Sequence, residues 1–239
     1  MLEPFERRIV GDVVAADFRT ARVFEQFGID FCCGGRRSIA DACRAASVDP
    51  MAVKCALDAL AGDDDPQDVT AWPVERLITH IVTTHHAYIR RHAPTISRHL
   101  AKTAGVHAHR HPELAEIAAA FNQVARDLQQ HMLKEEQMLF PYIAALAAHR
   151  DGASIASPFG TVEHPIRVME REHRAAGDEM RSIRELAQGY VPPWDACTTY
   201  RTALAELAGF DEDLHRHVHL ENNVLFPQAV RLEQHACGA

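Results

Sequence analysis

Residues 131–141, HMLKEEQMLFP, have a near copy at residues 217–227, HVHLENNVLFP. The two copies share a His, a Glu four positions later and a closing Leu-Phe-Pro. On a helix, residues four apart lie on one face and one turn apart, so each copy can present an imidazole nitrogen and a carboxylate to one metal ion. A single pair of this kind in a chain with 16 His is most often a solvated surface pair. Its duplication in one register favours a built site.

The repeat extends beyond the two motifs. His131 and His217 are 86 positions apart, and His86 and His173 are 87 apart, so each half has a single His followed by a His–Glu pair. This spacing predicts a repeated helical hairpin. In the first arm the apolar stripe that runs through Ile81 slightly favours His85, whereas the symmetry between the halves favours His86.

Composition predicts an all-α protein. The 239 residues are 47% hydrophobic and few are aromatic, and long stretches are rich in Ala, Leu, Glu and Arg, which favour helices. We expect a small helical domain over residues 1–62, an acidic linker GDDDPQDVTAW over residues 62–72, and an up-down four-helix bundle over residues 73–234.

Charge and hydropathy exclude several classes of protein. The net charge is −8 and the Lys and Arg are scattered, which is not typical of proteins that bind nucleic acid or anionic membranes. No apolar stretch approaches the roughly 18 residues of a membrane span, and the start MLEPFERRIV does not resemble a secretory signal. The six Cys form no disulfide framework. These features predict a cytoplasmic protein without a membrane or nucleic-acid partner.

Two adjacent thiols, Cys32 and Cys33, stand before two glycines in DFCCGG. Their spacing is unlike that of the Cys pairs of zinc sites. One interpretation is a buried Cys beside an incidental exposed thiol. The other is a reactive thiol site, in which the glycines let backbone amides point at sulfur and favour the thiolate.

The ligand count favours two metal ions. Four His and two Glu exceed what one ion needs in a helical bundle. If both carboxylates bridge, each ion has two imidazoles and two carboxylate oxygens, and an oxo or hydroxo bridge adds a fifth donor. One position on each ion then stays open for a small molecule. Mixed imidazole and carboxylate ligation with open positions suits iron, while manganese and zinc are not excluded by ligand type.

The sequence resembles a known family along essentially its whole length. The bundle motifs resemble those of hemerythrin-like domains, and their combination with a DFCCGG-bearing N-terminal domain is similar to the iron-sulfur cluster repair di-iron proteins, also called the repair-of-iron-centres family. The segments that carry the resemblance are FCCGGR at 31–36, LITHIVTTHH at 77–86, HMLKEEQMLFP at 131–141, EREH at 170–173, ACTTY at 196–200 and HVHLENNVLFP at 217–227. The resemblance implies the non-haem di-iron ligands His86, His131, Glu135, His173, His217 and Glu221, with Glu135 and Glu221 as bridges. It selects His86 over His85, and matches the family's paired Cys to Cys32 and Cys33.

The resemblance also implies a function. Such proteins help to restore iron-sulfur clusters damaged by nitrosative or oxidative stress, so iron-sulfur proteins would be the clients. Iron donation and reduction of nitric oxide at the di-iron site are both compatible with the ligand set, and only the second would be an enzymatic activity. The alternative is a hemerythrin-like protein that binds or senses oxygen or nitric oxide without turnover. The sequence leaves the oligomeric state open, a homodimer included.

Overall fold

The structure, a computed structural model, describes residues 4–60, 68–148 and 157–237. The predicted all-α class is confirmed: within these ranges the chain is helical, and the β-type pairing is an isolated bridge between Ile9 and Ser38. No helix in the described part of the chain is both long enough and apolar enough to cross a membrane.

The described residues form eleven α-helices. They are α1 (Val10–Ala16), α2 (Ala21–Gln26), α3 (Ile39–Ala46), α4 (Pro50–Asp58), α5 (Val74–His80), α6 (Ala87–His107), α7 (Glu113–Lys134), α8 (Phe140–Ala147), α9 (Glu163–Leu186), α10 (Thr198–His219) and α11 (Phe226–Cys237). Short 3₁₀ turns cover Phe5–Arg7, Phe18–Thr20 and Gln188–Tyr190. Three π-helical segments, Ile81–His86, Glu135–Leu139 and Leu220–Leu225, join α5 to α6, α7 to α8 and α10 to α11.

The described residues belong to two compact units. Unit 1 takes the described parts of Met1–Ile78, Ile143–Val162 and Arg216–Ala239, and unit 2 takes Thr79–Tyr142 and Glu163–His215. The division of the chain into domains at 1–62 and 73–234 stays a prediction. Residues 61–67 of the expected linker lie outside the described residues, and its end packs within unit 1, where the Val69 amide donates to Ala15 O (3.2 Å).

Unit 1 is built around small apolar helices. Phe24, Phe31 and Ile39 are fully or almost fully buried in it. The sequence predicts one helix over residues 13–27, but the structure breaks it at Asp17, whose backbone is extended. The Asp17 carboxylate accepts the Arg19 amide (3.0 Å) and the Arg19 guanidinium (2.8 Å), so a local side-chain turn replaces the helical hydrogen bonds at this point.

Unit 2 is an antiparallel bundle of α6, α7, α9 and the larger part of α10. The ring of Phe121 on α7 packs edge-on against Phe210 on α10, with centroids 5.0 Å apart, at the centre of its core. Tyr88 near the start of α6 packs near Phe210 on α10, and His107 at the end of α6 packs near Tyr200 at the start of α10, so the two helices are antiparallel. The predicted hemerythrin-like helical bundle is therefore confirmed as a fold.

Two predicted helix boundaries shift. The sequence predicts that Pro94 kinks the first bundle helix or starts a continuation to Ala104; in the structure Pro94 lies inside α6, which runs on to His107 and takes in the start of the expected loop. The predicted third helix, from Glu163 to Gln188, ends at Leu186, and three residues with positive φ follow it (Gln188, 48°; Gly189, 69°; Tyr190, 65°). Most of the loop expected over residues 151–160 lies outside the described residues.

Candidate metal centre

The carboxylate of Glu135 lies between two imidazoles in unit 2. Its Oε1 is 3.1 Å from His131 Nε2, and its Oε2 is 3.4 Å from His86 Nε2. The Nε2 atom of His173, on α9, lies 2.9 Å from that of His131. One carboxylate thus presents a different oxygen to each of two imidazoles. All four residues are buried in the interior of the bundle.

Three of these residues already form a group with the geometry of a metal site. Ligand atoms of His131, Glu135 and His173 all lie within 4.8 Å of one another. Nitrogen and carboxylate oxygen donors that converge in a buried site fit iron, manganese or zinc. The donor set therefore fits the non-haem iron that the sequence predicts.

The second copy of the motif forms the same local pair in unit 1. His217 Nε2 lies 3.0 Å from Glu221 Oε1, and both residues are fully buried. The equivalent distance in the first copy, between His131 and Glu135, is 3.1 Å. The sequence repeat is thus expressed as one local geometry at two places in the chain.

The π-helical segments coincide with candidate ligands. Ile81–His86 ends on His86, Glu135–Leu139 begins on Glu135, and Leu220–Leu225 contains Glu221. A π turn closes after five residues instead of four, which shifts the side chains that follow it around the helix. Such segments occur frequently at functional sites, because the wider turn directs a side chain away from the regular helical face.

The two neighbouring histidines of the first arm face different partners. His86 Nε2 faces Glu135 Oε2, whereas His85 Nδ1 pairs with Asp213 Oδ1 (2.9 Å). The ring of His80 packs edge-on against His85 (centroids 5.5 Å apart). The preference that the apolar stripe gave to His85 assumed a regular α-helix from Ile81, and this segment is π-helical.

Two carboxylates that the sequence analysis missed contact the outer nitrogens of candidate ligands. Glu136 Oε1 lies 2.6 Å from His86 Nδ1, and Glu172 Oε2 lies 2.9 Å from His131 Nδ1. An Nδ1–H that donates to a carboxylate leaves the Nε2 lone pair for a metal. The signal was present in the sequence, since Glu136 adjoins Glu135 and Glu172 adjoins His173.

Each of these carboxylates also has a cationic partner. Arg90 donates to Glu136 and Lys134 donates to Glu172, at 2.5 Å in each case. The hydrogen bond from His131, with that from Lys134, lowers the pKa of Glu172 to about 2. Burial raises the pKa of Glu136, but hydrogen bonds from Arg90 and His86 outweigh it and the net shift is downward. Both carboxylates are therefore ionised at neutral pH and fixed in position.

The paired thiols lie on the loop before α3, in unit 1. Cys32 is buried and Cys33 is partly exposed, with their Sγ atoms 4.0 Å apart. The backbone amides of both residues donate to Asp30 Oδ1 (3.0 and 2.9 Å). Contact with the Cys33 thiol and burial, with a contribution from Asp30, raise the pKa of Cys32 well above its ordinary value. These two amides therefore serve the Asp30 carboxylate, and Cys32 is a protonated thiol at neutral pH. A reactive role for either thiol stays a prediction.

The glycines after the thiols have a packing role. A Cβ at Gly34 would lie 2.8 Å from Asp30 O, and one at Gly35 would lie 2.3 Å from Phe31 O. Backbone atoms cannot yield to such contacts cheaply, so the turn requires glycine at both positions.

The histidines that flank His217 serve elsewhere. His215 Nδ1 bonds to Asp211 O (2.8 Å), one turn earlier on α10. The fully buried His219 packs against the rings of Phe18 and Phe31 in unit 1, with centroids 6.0 and 5.8 Å apart. Burial lowers the pKa of His219 to about 4, so this imidazole is neutral at physiological pH.

Comparison with known proteins gives two family matches. Residues 77–229 match the hemerythrin HHE cation-binding domain, and residues 6–61 match a domain of unknown function, DUF542, also named ScdA_N. The first match contains the six candidate ligands, and the second contains both adjacent thiols.

Curated relatives match the chain along almost its entire length. Proteins named iron-sulfur cluster repair protein YtfE from Yersinia pestis (strain Pestoides F), Musicola paradisiaca (strain Ech703) and Yersinia pseudotuberculosis serotype O:1b (strain IP 31758) are each 34% identical over 232 residues. Each alignment covers 96% of this chain and 99% of the relative. The resemblance drawn from the sequence is confirmed: the chain belongs to the hemerythrin HHE family and to the family of the iron-sulfur cluster repair proteins that it matches.

Proposed function

We propose that this protein holds a pair of non-haem iron ions and repairs damaged iron-sulfur clusters. The observation that carries the proposal is the buried Glu135 carboxylate, which presents one oxygen towards His131 and the other towards His86. A carboxylate that faces two imidazole positions is suited to bridge two ions. The names of the curated relatives support the repair role.

The proposed ligand set follows the internal repeat. It comprises His86, His131, Glu135, His173, His217 and Glu221, with Glu135 and Glu221 as bridges. The repeat pairs each member of the first half with one of the second, and the family match over residues 77–229 contains all six. The nearly equal His–Glu distances of the two copies, 3.1 and 3.0 Å, support equivalent roles for the two pairs.

The protein's own residues have defined tasks in this proposal. Glu136 and Glu172 hold the Nδ1 protons of His86 and His131, which turns the Nε2 lone pairs towards the centre. The bundle interior limits access of water to the ligands. When bound, an iron pair supplies redox-active ions with positions open to a small ligand such as nitric oxide or oxygen, and a store of ferrous iron.

A solvent cavity favours iron donation as the route of repair. A cavity of about 420 Å³ in unit 2 reaches His131 and Glu172 and is lined by further polar residues, among them Asp127, Lys134 and Glu179. Carboxylates beside a ligand histidine offer oxygen donors to an ion that leaves or enters. Nitric oxide reduction, which would make the protein an enzyme, and oxygen or nitric oxide binding without turnover remain the competing functions.

The first test is iron stoichiometry with a matched variant. Wild-type protein purified without added metal should contain two irons per chain, with absorption typical of a bridged ferric pair. Glu135→Gln removes the bridging charge and should lower the content to one iron or fewer without loss of helical circular dichroism. Glu116→Gln changes an exposed Glu on α7, the helix that leads into the π-helical segment of Glu135, and should retain both ions. Two irons in Glu135→Gln would exclude Glu135 as a ligand.

A second test separates the candidate functions. Anaerobic iron-loaded protein is mixed with the cluster-free form of an iron-sulfur protein and sulfide, and cluster formation is followed optically. Donation predicts cluster formation together with loss of iron from this protein. Nitrous oxide from reduced protein with nitric oxide would instead indicate reductase activity, and reversible oxygen or nitric oxide spectra without either outcome would indicate a binding protein. Three further expectations are tested separately. Pull-down tests binding of iron-sulfur client proteins, cell fractionation tests the cytoplasmic location, and light scattering tests the homodimeric state.

A further inference from the structure

Asn223 lies in the π-helical segment of unit 1 that carries Glu221, and its side chain contacts the loop over residues 27–38, here called the thiol loop, which carries Cys32 and Cys33. Its Nδ2 lies 3.0 Å from Cys32 O and 3.2 Å from Phe31 O, and 3.2 Å from the Nδ1 of His219 one turn earlier. Asn223 is two positions after Glu221. One amide group therefore joins the backbone of the thiol loop to the helical turn that carries a candidate metal ligand.

Two glycines from other segments of unit 1 make room for this amide. A Cβ added at Gly11, on α1, would lie 2.7 Å from Asn223 Oδ1, and one at Gly35, in the thiol loop, would lie 2.6 Å from the same atom. The Gly11 amide also donates to Gly35 O (2.8 Å). The backbones of α1 and of the thiol loop therefore pack directly against each other and against the Asn223 side chain.

The chemistry at this point requires an amide. Backbone carbonyls need a donor, and the NH₂ group of Asn223 supplies N–H donors to Phe31 O and to Cys32 O. An alanine would remove this donor from both carbonyls, and an aspartate of equal size would place a charged acceptor against two acceptors.

We infer that Asn223 is a positioning residue that fixes the Cys32–Cys33 loop to the helical turn of Glu221. The thiols and the candidate metal ligand Glu221 are thereby kept in a fixed position relative to each other. The thiol half of this inference stands on the contacts within unit 1. The metal half rests on the proposed function.

The thiol half is tested by the rate at which Cys32 reacts with N-ethylmaleimide, measured by mass spectrometry with fragment ions that distinguish it from Cys33. Cys32 is 7% exposed, so its modification requires local opening of the loop. Asn223→Ala should accelerate the modification of Cys32 by about tenfold, and Asn223→Asp by at least as much. Asn122→Ala, which changes an amide side chain on α7, should leave the rate unchanged. An unchanged rate in a folded Asn223→Ala protein would overturn the inference.

A second variant reaches the same contact from α1. Gly11→Ala puts a methyl group against Asn223 Oδ1, whereas Gly177→Ala on α9 makes the same chemical change where, apart from the neighbouring backbone of its own helix, no described atom lies within 4 Å of the new group. Gly11→Ala should accelerate modification of Cys32 and Gly177→Ala should not. If both variants act through one contact, the double variant Gly11→Ala with Asn223→Ala reacts no faster than the faster single variant. Rates that multiply would show two independent effects and would overturn the shared contact.

The metal half is tested on iron-loaded protein. Asn223→Ala should bind iron but release it to a ferrous chelator several-fold faster than wild type, with a shifted absorption spectrum, because the turn of Glu221 is held less firmly. Faster modification of Cys32 with an unchanged spectrum and release rate would overturn the link to the metal turn. A wild-type protein that binds no iron would refute the proposed function, while the thiol measurements would still decide the role of Asn223.

Discussion

At the scale of single residues, the outer partners of the histidines offer a sharp prediction. Glu172 accepts from His131 Nδ1 at 2.9 Å and is the residue that orients this imidazole. Glu172→Gln removes the negative acceptor and should weaken iron retention by about tenfold or more, because a ligating histidine loses basicity and orientation without its carboxylate partner. Competition with a chelator of known affinity measures the change.

The matched control lies on the same helix and in the same cavity. Glu179 also lines the cavity beside His131 but forms no hydrogen bond or ion pair with a candidate ligand among the described residues. Glu179→Gln should therefore retain iron like the wild type. Equal loss in both variants would mean that the charge of the cavity, and not the contact with His131, governs affinity.

At the scale of secondary-structure elements, alanine substitution of two glycines, one inside α9 and one in the turn after it, should change the free energy of unfolding in opposite directions. Gly189 has φ of 69°, in the left-handed region that a Cβ disfavours, whereas Gly177 lies inside α9 with open space around its Cα. Gly189→Ala should lower the free energy of unfolding by about 1 kcal/mol. Gly177→Ala should raise it by about 0.5–1 kcal/mol, through helix propensity. Chemical denaturation of the metal-free protein measures both.

The two substitutions control for each other, since each adds one methyl group to α9 or to the turn that follows it. Destabilisation by both would point to crowding, and stabilisation by both would show that the backbone at Gly189 relaxes out of its positive φ. Either result would contradict the role assigned to this turn.

At the scale of the whole molecule, iron should stabilise the fold. The proposed ligands come from helical segments spread over residues 86–221, and an ion bound only by the folded chain adds its binding free energy to stability. Iron at about 100 times its dissociation constant contributes about 3 kcal/mol. Removal with a chelator should lower the thermal midpoint by roughly 5–10 °C for a chain of this size. Differential scanning calorimetry before and after chelation measures the shift.

Glu135→Gln provides the reference for this measurement. Its midpoint should respond weakly to the same chelator, because it retains one iron or fewer. A chelator that lowers the midpoints of both proteins equally would be acting on the fold, or on metal bound elsewhere.

The sequence alone determined the class of fold and the local pairs of the candidate site. Helical composition predicts the all-α fold, and the spacing of four residues brings His131 to Glu135 and His217 to Glu221, because helical neighbours are set by hydrogen bonds within one segment. The sequence repeat also predicted that the second His–Glu pair has the geometry of the first, because equal spacing in a helix gives similar local geometry.

Tertiary structure decided the partners that come from distant segments. The π-helical turn over Ile81–His86 turns His86 towards Glu135, and a regular helical period cannot reveal such a turn. The contacts of His86 with Glu136, His131 with Glu172 and Asn223 with Cys32 join residues 50, 41 and 191 positions apart. Their geometry depends on how whole helices pack. The sequence shows that Glu136 and Glu172 adjoin candidate ligands, but it does not show which histidine each of them contacts.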